Sequence, residues 1–414
     1  MADGVVVVGG GPAGLAAAIE LRRRGTGSVT VVEREREPGG IPRHADHLGF
    51  GMLDMRRVLS GPRYARRYAR LTERAGAELL TQTMVTECGP GLRLRLTSPS
   101  GRRELDPAAV VLAAGCRERP RSARLVPGDR PEGVMTTSTL QQLVYLHQRR
   151  VGTRAVVIGA EHVSFSAIAT LAHGGASVAG LVTELPRHQS LAAFRLGAAL
   201  RYRTPVWTRA AVTRIDGGDR VEQVVVTDLD SGAERTVPCD LVVFTADWIP
   251  DHELAVMAGA DLDPGTLGPR VDAGHRTSVP GMFAAGNLVH PAETADICGL
   301  SGRHVAGAVA DYLEDNPAWP SRVPVRAEPP LRWVAPNLVA GDGRAPLRDR
   351  LLVRSGEFLR APRLEVAQGG PVLWTGRRAR LVPGRSAHIP ARWMRRVDPD
   401  DGPVSVRVAQ RRRR

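Results

Sequence analysis

The sequence predicts an α/β protein in which one α/β unit is inserted into another and a β-rich domain follows. Three observations carry this reading. A β-branched run that turns straight into a glycine-bearing loop and a helix occurs twice, at 5–16 and at 155–164. Two further apolar runs, 109–114 and 241–246, end in small residues and mark where the chain leaves the first unit and returns to it. Beyond Pro320 the helix-and-strand rhythm gives way to short alternating runs between Gly and Pro pairs. The expected division is 1–120 and 241–318 for the outer unit, 121–240 for the insert and 322–414 for the last domain. A length of 414 residues exceeds one ordinary core.

The first unit opens on VVVVGGGPAGLA. Val5 to Val8 read as a parallel strand covered on both faces, and a helix is expected from about Pro12 to Arg24. Gly9, Gly11 and Gly14 spell G-x-G-x-x-G: one glycine for the turn, one for close approach of a pyrophosphate, one for helix–strand packing. The helix start aims free N–H groups and a positive dipole end at a bound phosphate. A second strand, 28–32, ends in Glu33, 19 residues past Gly14 and close to the roughly 20 at which a carboxylate takes a ribose hydroxyl pair. Together these describe an adenine dinucleotide site.

Next comes a loop rich in glycine and histidine, Pro38 to Gly51, placed to pass along the dinucleotide towards its reactive end; a basic helix follows over about 61–75. A polar hairpin is centred on Ser98 to Gly101, and the run 109–114 stops at Gly115. The insert repeats the first topology: strand 155–158, a turn, a helix to about His173, strand 177–183 and Glu184. Its fingerprint is damaged, because Glu161 stands where the second glycine belongs and Ser164 where the third does. A glutamate there brings bulk and like charge against a pyrophosphate, which disfavours a nicotinamide dinucleotide and leaves NAD(P) binding open. Residues 277–287, TSVPGMFAAGN, end a short strand at Asn287, and a helix with small residues follows over about 294–313.

The β-rich domain is read from runs at 363–368, 372–374, 378–382 and 404–408, with Trp333, Trp374 and Trp393 as its expected core. Residues 322–414 hold 21 arginines against 8 acidic residues, a balance of +13, so the net charge of +14 lies almost wholly there and the tail ends Arg411 to Arg414. The chain has no lysine, so part of this arginine is compositional habit, and no aromatic-and-basic interleaving marks a nucleic-acid binder. A basic face that docks an acidic partner, such as a protein, or anionic lipid stays open beside a merely solvated one. Cys88, Cys116, Cys239 and Cys298 lie far apart with no C-x-x-C, which argues against a metal site or a redox dithiol. No apolar run reaches 18 residues and the start carries Asp3 rather than a basic segment, so a cytoplasmic protein without a transmembrane span is expected.

The order G9-x-G11-x-x-G14, Glu33, Pro38-Gly39-Gly40, Ala113-Ala114-Gly115, a second similar unit and T277-S-x-P-G-x-F-A-A-G-N287 resembles the two-dinucleotide-binding-domain flavoproteins: thioredoxin reductase, the pyridine nucleotide-disulfide oxidoreductases and their dithiol-free relatives. The resemblance covers residues 1 to about 315. Within it, PGGI followed by His47-x-Gly49-Phe50-Gly51 is similar to the flavoprotein subunits associated with glycerol-3-phosphate dehydrogenases and, more distantly, to opine and hydrogen cyanide synthase subunits. It implies two Rossmann-like three-layer dinucleotide-binding domains, the outer one for FAD, and by analogy a homodimer. Residue by residue it places Gly9, Gly11, Pro12, Ala13 and Gly14 at the FAD pyrophosphate, Glu33 with Arg34 at the adenosine ribose and Val85 at the adenine. Ala114 and Gly115 would border the cofactor, Gly286 and Asn287 would hold the ribityl-phosphate region, and Gly40, Ile41 and Ala295 would flank the flavin ring. Asn287 stands where the family has aspartate. His44 and His47 are the candidate acid–base groups, with ordinary turn residues as the plainer alternative. Expected is an FAD oxidoreductase acting on a small organic substrate and passing electrons to a partner protein, quinone or oxygen. The alternatives are an NAD(P)H-dependent flavin reductase and a flavin-containing assembly subunit.

Overall fold

The computed structural model describes residues 3–191, 196, 200–315 and 318–409. The Arg411 to Arg414 tail lies outside them. Contacts divide the chain into two compact units, one of 1–43, 48–116 and 250–414, the other of 44–47 and 117–249.

The first unit begins with β1 (Asp3–Val8), which turns into α1 (Pro12–Arg23) and returns as β2 (Val29–Val32). After α2 (Gly61–Arg74) come β3 (Glu78–Leu80), an antiparallel trio of β4 (Met84–Cys88), β5 (Leu94–Ser98) and β6 (Gly101–Leu105), and then β7 (Pro107–Leu112). Val5 to Val8 are buried on both pleat faces: Val5 and Val7 pack with α1, while Val6 and Val8 share the other core with Val85 and with Leu112 of the neighbouring strand. That two-sided cover is why the strand reads as an unbroken apolar run.

The second unit holds β8 (Val134–Thr136), α3 (Thr137–Gln141), β9 (Arg154–Ile158), α4 (His162–His173), β10 (Ser177–Thr183) and β11 (Val206–Thr208). An antiparallel sheet of β12 (Ala210–Gly217), β13 (Val221–Asp228) and β14 (Glu234–Pro238) follows, and β15 (Leu241–Phe244) then returns to the parallel sheet. The parallel sheet runs β8-β15-β9-β10-β11. Here the structure differs from the sequence expectation, which gave 241–246 to the outer unit. Leu241 pairs with Ala155 and Val242 with both Val156 and Val134, so β15 is an inner strand of the second unit's sheet. A buried strand of four apolar residues fits either sheet by pattern alone; only pairing decides.

Back in the first unit, β16 (Met282–Ala284) pairs in parallel with β7 and completes a sheet of order β16-β7-β1-β2-β3. The long α5 (Ala295–Asp315) then packs on α1. A Cβ on Gly302 would lie 1.9 Å from the Ala13 carbonyl oxygen, so the two helices touch backbone to backbone.

The β-rich domain comprises β17 (Arg322–Ala327), β18 (Leu331–Ala335), β19 (Leu338–Ala340), β20 (Arg350–Ser355), β21 (Leu359–Arg360), β22 (Arg363–Ala367), β23 (Val372–Arg377), β24 (Arg380–Leu381), β25 (Ala387–Pro390) and β26 (Val404–Val408). A sheet of order β19-β17-β26-β22-β23 shares one apolar core with the sheet β18-β20-β25. Trp374 and Trp393 lie in that core; Trp333 does not, and stacks instead on His290 at 5.4 Å. By contacts this domain belongs to the first unit rather than standing apart.

Candidate cofactor site

The β1–α1 turn is built by backbone crowding on one side and openness on the other. Gly9 has φ +108, and a Cβ there would meet the Ala113 carbonyl oxygen at 2.5 Å. A Cβ on Gly14 would sit 1.9 Å from the Gly9 carbonyl oxygen, so only glycine lets helix and turn meet. At Gly11 no described atom lies within 4 Å of such a Cβ. Gly11 is also the N-cap of α1, with no side-chain cap, Pro12 in the first turn and no acidic residue there. The first turn of α1 thus has no capping side chain and no acidic residue of its own, which leaves its amides as the donor set a pyrophosphate requires. Glu33, at the end of β2, is buried; its Oε2 accepts from the Gly10 N–H at 2.8 Å and its Oε1 from the Glu35 N–H at 2.8 Å. Gly39 donates to the Gly10 carbonyl at 2.6 Å, and a Cβ on Gly40 would come within 3.0 Å of the Gly11 Cα, so the PGG loop folds onto the same turn.

The far side is formed by the segment between β16 and α5. Gly286 donates to Ser301 Oγ at 2.9 Å, and a Cβ on it would meet Ala13 at 2.7 Å. The Asn287 amide is engaged within its own loop: its Oδ1 accepts from the Glu293 N–H at 2.7 Å and its Nδ2 donates to the Glu293 carbonyl at 3.2 Å. Arg354 of β20 anchors that loop, donating to the Pro291 carbonyl at 2.6 Å and lying 3.6 Å from the Glu293 carboxylate; Ser386 also reaches Glu293. Burial brings the Arg354 guanidinium down to about 10, still charged at neutral pH. Asp296, in the first turn of α5, accepts the N–H groups of Gly51 at 2.7 Å and Leu53 at 2.9 Å. Beneath it Asp54 Oδ2 accepts the Tyr64 hydroxyl at 2.8 Å and the Tyr68 hydroxyl at 2.6 Å. Burial pushes Asp54 above the ordinary carboxylate range against the pull of these two hydroxyls.

The corresponding turn of the second unit is chemically the reverse. Glu161 is the N-cap of α4, in a reciprocal capping box with Ser164. Its Oε1 accepts the Ser164 hydroxyl at 2.8 Å and its Oε2 the Ala160 N–H at 3.1 Å, while Ser164 Oγ also sits 2.7 Å from Thr245 Oγ1. Glu161 is buried, and desolvation raises its pKa. Near it Glu118 accepts the Ser138 N–H at the start of α3 at 2.8 Å, and burial lifts it to about 7. Arg124 donates to the Thr245 and Ala246 carbonyls at 2.6 and 2.8 Å, beside both carboxylates.

Of the residues expected from sequence, the structure brings together Gly9, Gly11, Pro12, Ala13, Gly14, Glu33 and Gly40 at the first turn, with Gly286 against Ala13. Ala114 and Gly115 follow the strand whose Ala113 carbonyl touches Gly9. Ile41 is half exposed, Arg34 is exposed and Ala295 opens α5. The Val85 side chain is buried with Val8 and Val32, so at most its backbone faces an adenine. His44 and His47 belong by contacts to the second unit, His44 buried and His47 exposed. The Asp54–Tyr64–Tyr68 cluster and Asp296 escaped sequence reasoning. The tyrosines four apart on α2 were the available signal, since that spacing puts them on one helix face.

A model of the pyridine nucleotide-disulphide oxidoreductase family matches residues 3–308. The chain belongs to that family. It is therefore a flavoprotein of FAD-dependent oxidoreductases, and the open turn of the first unit fits the cofactor. It is 27% identical over 369 residues to the NADPH glutamate synthase small chain of Mycobacterium tuberculosis, spanning 78% of this chain and 70% of the relative. It is 26% identical over 313 residues to the ferredoxin–NADP reductase of Ignicoccus hospitalis, covering 74% and 96%. Among solved structures, thioredoxin reductase of Lactococcus lactis superposes with a TM-score of 0.63 at 18% identity, over 76% of this chain and 100% of that one. That likeness establishes the fold. No described helix is long and apolar enough to cross a membrane.

Proposed function

We propose that this chain is an FAD-dependent oxidoreductase that oxidises a small organic substrate and passes the electrons to a protein partner, a quinone or oxygen, without NAD(P)H. The observation that carries the reading is Glu161: at the start of α4 a carboxylate of the protein takes the donors that a dinucleotide phosphate would need. In the first unit the equivalent N-cap is Gly11, with no side-chain cap and no acidic residue in the first turn; Glu33, from the neighbouring strand, takes only the Gly10 N–H. FAD supplies the electron-transfer capacity; the chain's residues bind it, with Gly11 to Gly14 at the pyrophosphate, Glu33 at the ribose and the Gly286–Ala295 segment at the flavin end. Asn287 holds the shape of that segment through Glu293 rather than reaching outward.

Disulfide reduction is not part of this reading. No C-x-x-C pair is present, and burial pushes the Cys88 thiol to about 11 and those of Cys239 and Cys298 to about 12, so these three stay protonated near neutral pH. The glycerol-3-phosphate dehydrogenase-associated branch, a cytoplasmic location and a homodimer are part of the same reading, as are His44 and His47 as weak acid–base candidates. A second reading, an NAD(P)H-linked reductase or flavin subunit of a larger enzyme, is favoured by the two relatives, an NADPH glutamate synthase small chain and a ferredoxin–NADP reductase.

Anaerobic addition of NADH, NADPH and glycerol 3-phosphate to the purified yellow protein separates these. Bleaching by an organic substrate and not by either nucleotide is expected; rapid stoichiometric bleaching by NADPH would replace the first reading with the second.

A further inference from the structure

We infer that the bent ribbon formed by β21–β22 and β23–β24 is a docking surface for a protein that presents clustered carboxylates. This rests on the reading that electrons leave the flavin for a protein partner. Residues 359–367 and 372–381 form one antiparallel ribbon, continuous through the hydrogen bonds Ala361 N–H to Ala379 carbonyl and Arg378 N–H to Pro362 carbonyl. Its register sets Arg360 opposite Arg380 and Arg363 opposite Arg377. All four are exposed. Like charges directly opposite one another weaken a strand pair, and here the pattern occurs twice within three residues of chain.

Nothing within the domain relieves this repulsion among the described residues. None of the four arginines has a carboxylate in salt-bridge range, and the ribbon's own Glu365 is taken by Arg407 of β26. Arg378, by contrast, serves the fold: it donates to the His388 carbonyl and lies 5.5 Å over Trp374. Four guanidinium groups spread about 10 Å along the strands and about 5 Å across them match the spacing of acidic side chains on one face of a helix. Arginine forks take carboxylates two-pronged, so a partner would convert the repulsion into complementarity.

The surroundings favour a protein over other polyanions. A bilayer needs apolar anchors beside its basic residues, and among the domain's described residues Val372 is the one large apolar side chain that is exposed. Single-stranded nucleic acid needs stacking platforms, and Trp333, Trp374 and Trp393 are all buried.

The test uses the full-length holoprotein and does not depend on turnover, so it can fail while the proposed reaction stands, or succeed while the reaction is revised. The probes are a fluorescent peptide with glutamates at every third and fourth position, a labelled DNA duplex of equal charge, and vesicles of phosphatidylglycerol and phosphatidylcholine. One variant carries Arg360→Gln, Arg363→Gln, Arg377→Gln and Arg380→Gln. The control removes the same charge from the exposed arginines of α2: Arg63→Gln, Arg66→Gln, Arg70→Gln and Arg74→Gln. Expected is a loss of peptide affinity of about tenfold or more in the ribbon variant, less than about threefold in the control, with a melting temperature no lower than the parent's. Equal losses in both variants, duplex or vesicle binding tighter than peptide binding through the same arginines, or a ribbon variant that melts well below the parent would each overturn the inference. Should the quadruple variant not fold, Arg360→Gln with Arg380→Gln alone must still weaken the peptide more than any two α2 substitutions do.

Discussion

Gly10 donates its backbone N–H to the Glu33 carboxylate at 2.8 Å, bridging 23 residues of chain. Glu33 therefore closes the β1–α1 turn from the neighbouring strand, in addition to lying where an adenosine ribose would be held. Its other oxygen caps the Glu35 N–H. Replacing Glu33 with Ala strands the Gly10 amide in a buried position, a loss of about 2 kcal/mol, and removes the proposed ribose acceptor as well. Glu33→Ala is expected to lose FAD on gel filtration and to melt lower than the parent even after both have been stripped of flavin. Glu33→Gln, which keeps one acceptor for Gly10, should recover the stability and not the FAD retention. The ratio of flavin to protein absorbance and the apoprotein melting curve check the two halves separately.

Glu161 carries the opposite expectation. Its carboxylate is the cap of α4, and glycine is itself tolerated as an N-cap, so Glu161→Gly should lower stability by only a few tenths of a kcal/mol (roughly 0.3) while freeing the amides of that turn. If the carboxylate is what bars a nicotinamide dinucleotide, NADPH should bind the variant about tenfold or more tightly than the parent, equivalent to about 1.4 kcal/mol. Calorimetric titration of parent and variant measures this. No gain in the variant would mean that the shape of the turn, not its charge, excludes the nucleotide.

These two turns also show what the sequence could and could not disclose. Gly9, Gly11, Gly14 and Glu33 were legible because a pyrophosphate cradle demands glycine for steric reasons that leave a fixed spacing. Glu161 was legible as a misfit at the same spacing, but its bond to Ser164, itself at a misfit position, was not; the two departures are one capping box. The β15 strand went to the other unit because four apolar residues carry no information about which sheet they join. Asn287 looked like a ligand group and turned out to brace Glu293, a choice between outward and inward that depends on a loop conformation no periodicity encodes. Arg354 is a plain arginine of a β-rich domain in sequence; only the fold sets it against the Pro291 carbonyl, 63 residues away.

Glu118 gives a pH dependence with a definite sign. Burial lifts it to about 7 from an ordinary 4.5, so the folded second unit binds its proton more tightly than the unfolded chain does. Above pH 7 the fold bears the full penalty of an ionised buried carboxylate; between about pH 7 and about 4.5 the penalty is relieved as the proton is taken up, by about 3 kcal/mol in total. Glu118→Gln should therefore be more stable than the parent at pH 8 and should lose that advantage progressively by pH 4.5. Urea midpoints of both proteins across this range provide the check, and a constant difference at all pH values would show that Glu118 is ionised in the fold with an ordinary pKa.

The last expectation concerns the pair of tyrosines under α5. Tyr64 and Tyr68 stand edge to face at 5.0 Å between ring centres and both give their hydroxyls to one oxygen, Asp54 Oδ2. Burial raises all three groups, so the tyrosines remain protonated donors at any physiological pH and Asp54 is the acceptor that satisfies them. Gly299 lets the cluster close, since a Cβ there would meet Tyr68 Oη at 2.5 Å and Asp54 Oδ2 at 2.7 Å. Asp54→Ala would leave the buried Tyr68 hydroxyl without its acceptor, leave Tyr64 only the Ala295 carbonyl at 3.1 Å, and open a cavity, a loss of about 3 kcal/mol. Removing the hydroxyls with the carboxylate, as Asp54→Ala, Tyr64→Phe and Tyr68→Phe together, should restore part of that loss, because no donor is then stranded. Asp54 also lies one residue from Leu53, whose N–H is held by Asp296 at the start of α5. Loosening the cluster should therefore free the 51–55 loop beside the flavin end of the cradle, increasing flavin fluorescence and iodide quenching in Asp54→Ala relative to the triple variant. Equal stability and equal fluorescence in the single and triple variants would mean that the carboxylate does not couple the tyrosines to the loop.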